Sequence, residues 1–167
     1  VIGSFQRDTE GFDLVSPKLI KGPDRFIEII EKLKYKNPLV LLSGKRRQYI
    51  INGLEKLEVR YKYFEMVDVK VLNELYNCLD LYIVTSRVEG GPQSIVECAT
   101  NKTPIISTDV GIASEILSEN SIFNMNNFEK AIPDIETAFK NSSPLRIPQG
   151  FEKFNEMFNL MHFKKWF

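Results

Sequence analysis

The chain has 167 residues, enough for one domain with a proper core and too few for two large ones. Its hydrophobic fraction of 43% excludes a disordered chain. Lys plus Arg equals Asp plus Glu at 22 each, which excludes the basic excess that general nucleic-acid binding needs and leaves room for a local phosphate pocket.

Val1 to Phe5 is a short apolar run and reads as the first strand. No initiator Met or lead-in precedes it, so the chain is expected to be cut from a longer one. Gln6 to Gly22 has no sustained periodicity and contains Gly11, Pro17 and Gly22, so it reads as a long loop. Pro23 opens a helix in which Phe26, Ile29, Ile30 and Leu33 recur at helical spacing. Asn37-Pro38 breaks it, and Leu39 to Leu42 is the continuous apolar run of a strand buried on both faces. A second helix is predicted over Arg46 to Leu57, with Tyr49, Ile50, Leu54 and Leu57 on one side. Glu58 to Phe64 alternates and reads as a strand. Asp68 is placed as the N-cap of a third helix, with Val71, Leu72, Leu75 and Leu79 inward. Leu81 to Thr85 is a strand, Ser94 to Asn101 a helix, Pro104 to Ser107 a strand, and Ala113 to Leu117 a short helix. Ser121 to Phe123 reads as a last strand, and Phe128 to Asn141 and Phe151 to Phe167 as helices. Asn141 to Gly150, with two Pro, reads as a linker.

Repeated strand–helix alternation predicts a Rossmann-like α/β three-layer sandwich, a parallel sheet of about six strands with helices on both faces. Residues 1–145 would form that domain, and 146–167 a helix packed on it or on a missing N-terminal domain. Ligands of such sheets bind beyond the carboxyl ends of the strands, at the switch point in strand order. The segments following the first and fourth strands are therefore the candidates.

Ser86 to Glu97 follows a buried strand and enters a helix. Gly90 and Gly91 would let backbone approach a ligand, and Pro92 suits a helix start whose free N–H groups and positive end favour a phosphate or sugar hydroxyl. Glu89 from the loop and Glu97 from the second helical turn can face one cleft, where carboxylates accept paired hydroxyls. An ordinary acidic helix start is the alternative. Arg7 and Lys21 after the first strand supply cations for a diphosphate, unless they are merely solvated. Gly44 and Val67, after the second and third strands, could close under a nucleotide and meet its base, or simply be turn residues.

Cys78 and Cys98 lack CxxC spacing and, with a single His, make no metal pattern; both are expected as buried thiols in a reducing cytosol. His162 lies in an apolar helix as a packing residue. The Phe and Met stripe around it is a docking face, or with Lys164, Lys165 and Trp166 a membrane-surface helix. No apolar stretch reaches the roughly 18 residues of a membrane span.

The run Glu89 to Ala99 resembles the E-x7-E signature of the C-terminal domain of family 4 glycosyltransferases, which have the GT-B architecture of two Rossmann domains. Gly3 to Arg7, Lys21 to Asp24, Leu42-Ser43-Gly44, Asp80 to Ser86, Asn101 to Thr108, Asp109 to Gly111 and Glu115 to Leu117 resemble further family segments in the same order. The resemblance implies transfer of a sugar from a nucleotide-sugar donor to a glycan or lipid acceptor, with retention of anomeric configuration. Arg7 and Lys21 would hold the diphosphate, Glu89 the transferred sugar, Glu97 the ribose, and the segment Gly90, Gly91, Pro92, Gln93 and Ser94 would help. No metal and no cofactor are implied. Gly91-Pro92-Gln93 stands where the family has Phe-Gly, and the long spacing from Arg7 makes Lys18 an alternative phosphate lysine. The implied setting is cytoplasmic polysaccharide biosynthesis, with peripheral membrane association as an option and an absent acceptor-binding domain as partner. The isolated domain would then be inactive. A GT-B-like nucleotide-sugar epimerase and a non-catalytic nucleotide-binding module are the alternatives.

Overall fold

The computed structural model describes residues 1–11 and 14–143. Six strands form one fully parallel sheet: β1 (Ile2–Ser4), β2 (Leu39–Ser43), β3 (Arg60–Phe64), β4 (Leu81–Val84), β5 (Ile105–Thr108) and β6 (Ile122–Phe123). Their spatial order is β3-β2-β1-β4-β5-β6. The chain thus winds outward from β1 in one direction, returns, and winds outward from β4 in the other. The switch point lies between β1 and β4.

The helices are α1 (Pro23–Leu33), α2 (Gln48–Lys56), α3 (Val69–Asn77), α4 (Gln93–Asn101), α5 (Ala113–Ile116) and α6 (Glu136–Asn141). Strand periodicity divides the core into two layers. Val40, Leu42, Ile83 and Ile106 face α1 and α2, where Phe26, Ile29, Ile50 and Leu54 meet them. Leu41, Tyr82, Val84 and Ile105 face the other way, onto Leu75 and Tyr76 of α3 and Ile95 and Cys98 of α4. Central strands read as continuous apolar runs because both faces are covered. At the edge, β3 alternates exposed Arg60 and Lys62 with half-buried Tyr61 and Tyr63.

The expected three-layer architecture is present. Asp68 caps α3 as expected, its Oδ1 accepting from the Val71 amide at 2.8 Å. Three expectations change. Phe128 to Asn141 is not one helix: a 3-10 turn over Phe128–Lys130 is followed by extended chain and then α6. Pro133 biases Ile132 away from helical backbone, and Asp134 is diverted to an antiparallel bridge with Ile105. The long first loop is partly organised, with a Thr9–Pro17 bridge and a 3-10 turn at Leu19–Lys21. Cys98 is buried but Cys78 is exposed, because it lies just past the last turn of α3 on its outer side. The linker beyond Ser143, the helix predicted over Phe151 to Phe167, His162 and the proposed membrane-surface residues lie outside the described residues.

Candidate functional site

The two loops leaving β1 and β4 are tied to each other across the switch point. Arg87 grips Asp24 with both arms of its guanidinium, Nη1 to Oδ1 at 2.7 Å and Nη2 to Oδ2 at 2.6 Å. Nη1 also donates to the Leu19 carbonyl at 2.8 Å, and the Arg87 amide to the Ile20 carbonyl at 2.8 Å. This fork holds the Asp24 carboxyl below its ordinary range. Thr85 Oγ1 donates to the Gly22 carbonyl at 2.8 Å. Gly22 has φ +65, and a Cβ there would lie 1.9 Å from the Thr85 carbonyl oxygen, so no other residue fits.

This clamp brings Lys21 to Glu89. Lys21 Nζ is ion-paired with Glu89 Oε1, and Ser86 Oγ donates to Oε2 at 2.7 Å. Both carboxylate oxygens are engaged, and both side chains are largely buried, at 22% and 18% exposure. Gln6 adds a second tie through Nε2, which donates to the Lys21 carbonyl at 2.9 Å.

Glu97 comes to the same place from α4. Tyr76 OH of α3 donates to its Oε2 at 2.6 Å. Glu89, Glu97, Gln93 and Ser94 line one cavity of about 230 Å³ together with Phe5, Gln6, Leu72, Tyr76 and Tyr82. Three rings pack edge-on or tilted against one another in its wall, Phe5 lying 4.9 Å from Tyr76 and 5.4 Å from Tyr82. The Tyr82 hydroxyl accepts from the Phe5 amide at 3.0 Å. Burial drives both tyrosine hydroxyls well above their ordinary range. Pro92 is the N-cap of α4, with no side-chain cap, so the amides of Gln93 and Ser94 have no acceptor within the helix. The cavity therefore combines two carboxylates, the free amides and an aromatic wall, and Lys21 is joined to it through its ion pair with Glu89.

The other sequence candidates are placed differently. Arg7 is exposed, and its Nε donates to the Thr9 carbonyl at 2.8 Å. Lys18 contributes backbone, its amide donating to the Asp8 carbonyl at 2.8 Å. Gly44 takes φ +91, and its carbonyl accepts from Tyr63 OH at 3.0 Å. Val67 is half-buried against the α3 and α4 layer. Gly90 and Gly91 have ordinary backbone; a Cβ on Gly90 meets nothing within 4 Å, and one on Gly91 would only touch Ile112 at 3.9 Å. The close approach is at Gly111, φ +53, where a Cβ would lie 2.5 Å from the Gly90 carbonyl oxygen. Gly111 thus packs against the Gly90 carbonyl, while the Cβ side of Gly90 is open.

Beneath the first loop lies a polar centre that the sequence reading missed. Arg47 and Asp8 are ion-paired at 3.1 Å, with side-chain exposures of 0% and 1%. Arg47 also donates to the Ser43 carbonyl at 3.1 Å and Ser4 Oγ at 2.9 Å. Among the described residues, Asp8 Oδ1 has no hydrogen-bond partner of ordinary geometry. Burial raises the Asp8 carboxyl; Arg47, and more weakly the amides of Ile50 and Tyr49 in the first turn of α2, oppose the rise. Burial likewise pulls the Arg47 guanidinium down against the attraction of Asp8. The pair fixes the loop to the carboxyl ends of β1 and β2.

A larger cavity, about 840 Å³, lies beside β5 and β6 among Asp109, Glu119, Asn127 and Lys130, and contains none of the sequence candidates. Among the described residues no helix is long and apolar enough to cross a membrane, and no three His, Cys, Asp or Glu side chains gather closely enough to hold a metal ion.

The sequence profile of the family described as "Glycosyl transferases group 1" matches residues 16–149. Comparison with curated proteins gives no sequence match. Among solved structures, a glycosyltransferase from Rickettsia africae superimposes with a TM-score of 0.69 at 19% identity, over 95% of this chain and 47% of that one. Anabaena HepE, solved with UDP and glucose, gives 0.69 at 16% identity, over 96% and 48%. The catalytic domain of the cholesterol-alpha-glucosyltransferase from Helicobacter pylori gives 0.62 at 19% identity, over 95% and 97%. The chain spans about half the length of the first two, 47% and 48%.

Proposed function

Because the chain belongs to the group 1 glycosyl transferases, we propose that its switch-point cavity is the donor site of a family 4, GT-B enzyme that transfers a sugar from a nucleoside diphosphate with retention of configuration. The chain would be the C-terminal, donor-binding half. A separate N-terminal domain would bind a glycan or lipid acceptor, and this half alone would not transfer sugar. The observation that carries the reading is the meeting of Glu89 and Glu97 in the wall of one cavity, with Lys21 ion-paired to Glu89 from the first loop.

The chemistry follows from the charges. As the glycosidic bond to the donor breaks, negative charge grows on the departing diphosphate. Lys21 and the free amides at the start of α4 are fixed positive groups suited to that charge. Glu89 accepts hydroxyl hydrogen bonds from the transferred sugar, and Glu97 from the ribose. Arg7, whose Nε is held by the Thr9 carbonyl, would offer the diphosphate its Nη1 and Nη2 groups. These groups supply the electrostatic stabilisation, so no metal is required in this reading. HepE has been solved in complex with UDP-glucose, which makes a uridine donor the first to try. Family membership favours transfer over the epimerase and non-catalytic alternatives. A cytoplasmic site of polysaccharide synthesis, at the inner membrane face, fits a lipid or glycan acceptor.

Titration of UDP, GDP and their sugars by calorimetry tests the donor site. Saturable binding of one nucleoside diphosphate, weakened by Glu97→Ala, is expected. Absence of binding for every nucleotide at millimolar concentration would refute it.

A further inference from the structure

Glu97 does not stand alone in the cavity wall. Its Oε2 is held by Tyr76 OH at 2.6 Å, while Oε1 makes no hydrogen bond among the described residues, and the side chain lines the cavity. Tyr76 is itself rigidly seated. It is 2% exposed, its ring is wedged between Phe5 at 4.9 Å and Tyr82 at 5.5 Å, and its carbonyl accepts from Thr103 Oγ1 at 3.1 Å. A glutamate on a helix surface otherwise samples several rotamers, and fixing a long side chain carries an entropic penalty on binding. A hydroxyl on an immobile ring removes that penalty before any ligand arrives.

We infer that Tyr76 is the positioning residue that sets Glu97 for the ribose, and so gives the site its preference for ribonucleotides over deoxyribonucleotides. This rests on the donor-site reading above. Tyr76 reaches the ligand only through Glu97. By filling one lobe of Oε2 it turns the remaining acceptor positions of the carboxylate toward the cavity, where a vicinal pair of hydroxyls can donate to them. A sugar lacking those hydroxyls gains nothing from the arrangement. The effect of Tyr76 should therefore depend on the ligand's 2′- and 3′-hydroxyls, which a purely packing role would not.

The test uses the intact protein and two matched probes, UDP and 2′,3′-dideoxy-UDP, with GDP and its dideoxy form run in parallel. Wild-type protein should prefer the ribose form by about tenfold, the scale of one hydrogen bond to a charged acceptor. Tyr76→Phe keeps the ring and its packing, and should cut that preference to roughly twofold by weakening only the ribose form, as expected when ordering entropy returns. In a Glu97→Gln background the same change should add nothing, since its route to the ligand is gone. Equal weakening of both probes by Tyr76→Phe, or an undiminished ribose preference, overturns the inference while leaving the donor site intact. A wild-type protein that binds neither probe, or both alike, removes the ribose role of Glu97 and this inference with it.

Discussion

Replacing Arg47 by Met tests the account of the buried centre that anchors the first loop. Met fills most of the aliphatic volume but removes three donated hydrogen bonds, to Asp8, the Ser43 carbonyl and Ser4 Oγ. The dominant loss is at Asp8, whose carboxyl then sits 1% exposed with no cation beside it. It escapes by taking up a proton on folding. From its ordinary value of 3.8 to pH 7 that uptake costs about 4 kcal/mol, which agrees with the 3–5 kcal/mol typical of breaking a buried pair. A carboxyl raised on folding stabilises the fold fully below its unfolded value and loses that contribution as pH rises through the folded value. The deficit of Arg47→Met relative to wild type should therefore shrink as pH falls from 7 to 5, by about 1.4 kcal/mol per unit. Urea unfolding at several pH values measures it, and adding Asp8→Asn should abolish the pH dependence. A deficit below about 1 kcal/mol, or one that does not change with pH, would refute the reasoning.

Two further outcomes are expected. Lys21→Met should weaken nucleoside diphosphate binding by about tenfold or more, with little effect on the nucleoside, and should flatten the salt dependence of affinity; calorimetry at two ionic strengths reads both. Gly22→Ala should lower Tm sharply, because its Cβ meets the Thr85 carbonyl at 1.9 Å, whereas Gly90→Ala should leave Tm near the wild-type value.

The features legible in the sequence were those whose physics is local. Asp68 caps α3 through an amide three residues away, so its identity and position suffice to place it. The central strands were readable as apolar runs because both faces of the sheet are covered, a condition the alternation of elements already implies, and edge strand β3 was readable by its alternation. Phe128 to Asn141 misled because its spacing is helical, yet the chain there is claimed by a distant strand: Asp134 bridges Ile105 and its carboxylate also receives the Ser118 amide at 2.7 Å. Pro133 breaks the helical path locally, and the bridge to Ile105 holds the extended chain that results.

The same distinction explains the site. Glu89 and Glu97 lie on one continuous loop-to-helix path, so their spacing alone places both near one cleft. Their partners do not share that path. Lys21 meets Glu89 across 68 positions, Gln6 meets Ser86 across 80, and Phe5 meets Tyr82 across 77. Each contact crosses the switch point and exists only once β1 and β4 are neighbours, which no local rule specifies. Tyr76 was within reach: it follows Leu72 by four residues and Leu75 by one, on the inward face of α3, and a tyrosine there must find an acceptor for its hydroxyl. That acceptor is the very glutamate the sequence had singled out. A buried hydroxyl with no local partner is thus a pointer to a distant carboxylate, whereas the direction of Arg7, whose Nε donates to the Thr9 carbonyl of its own loop, follows from a main-chain acceptor that residue type and spacing do not mark.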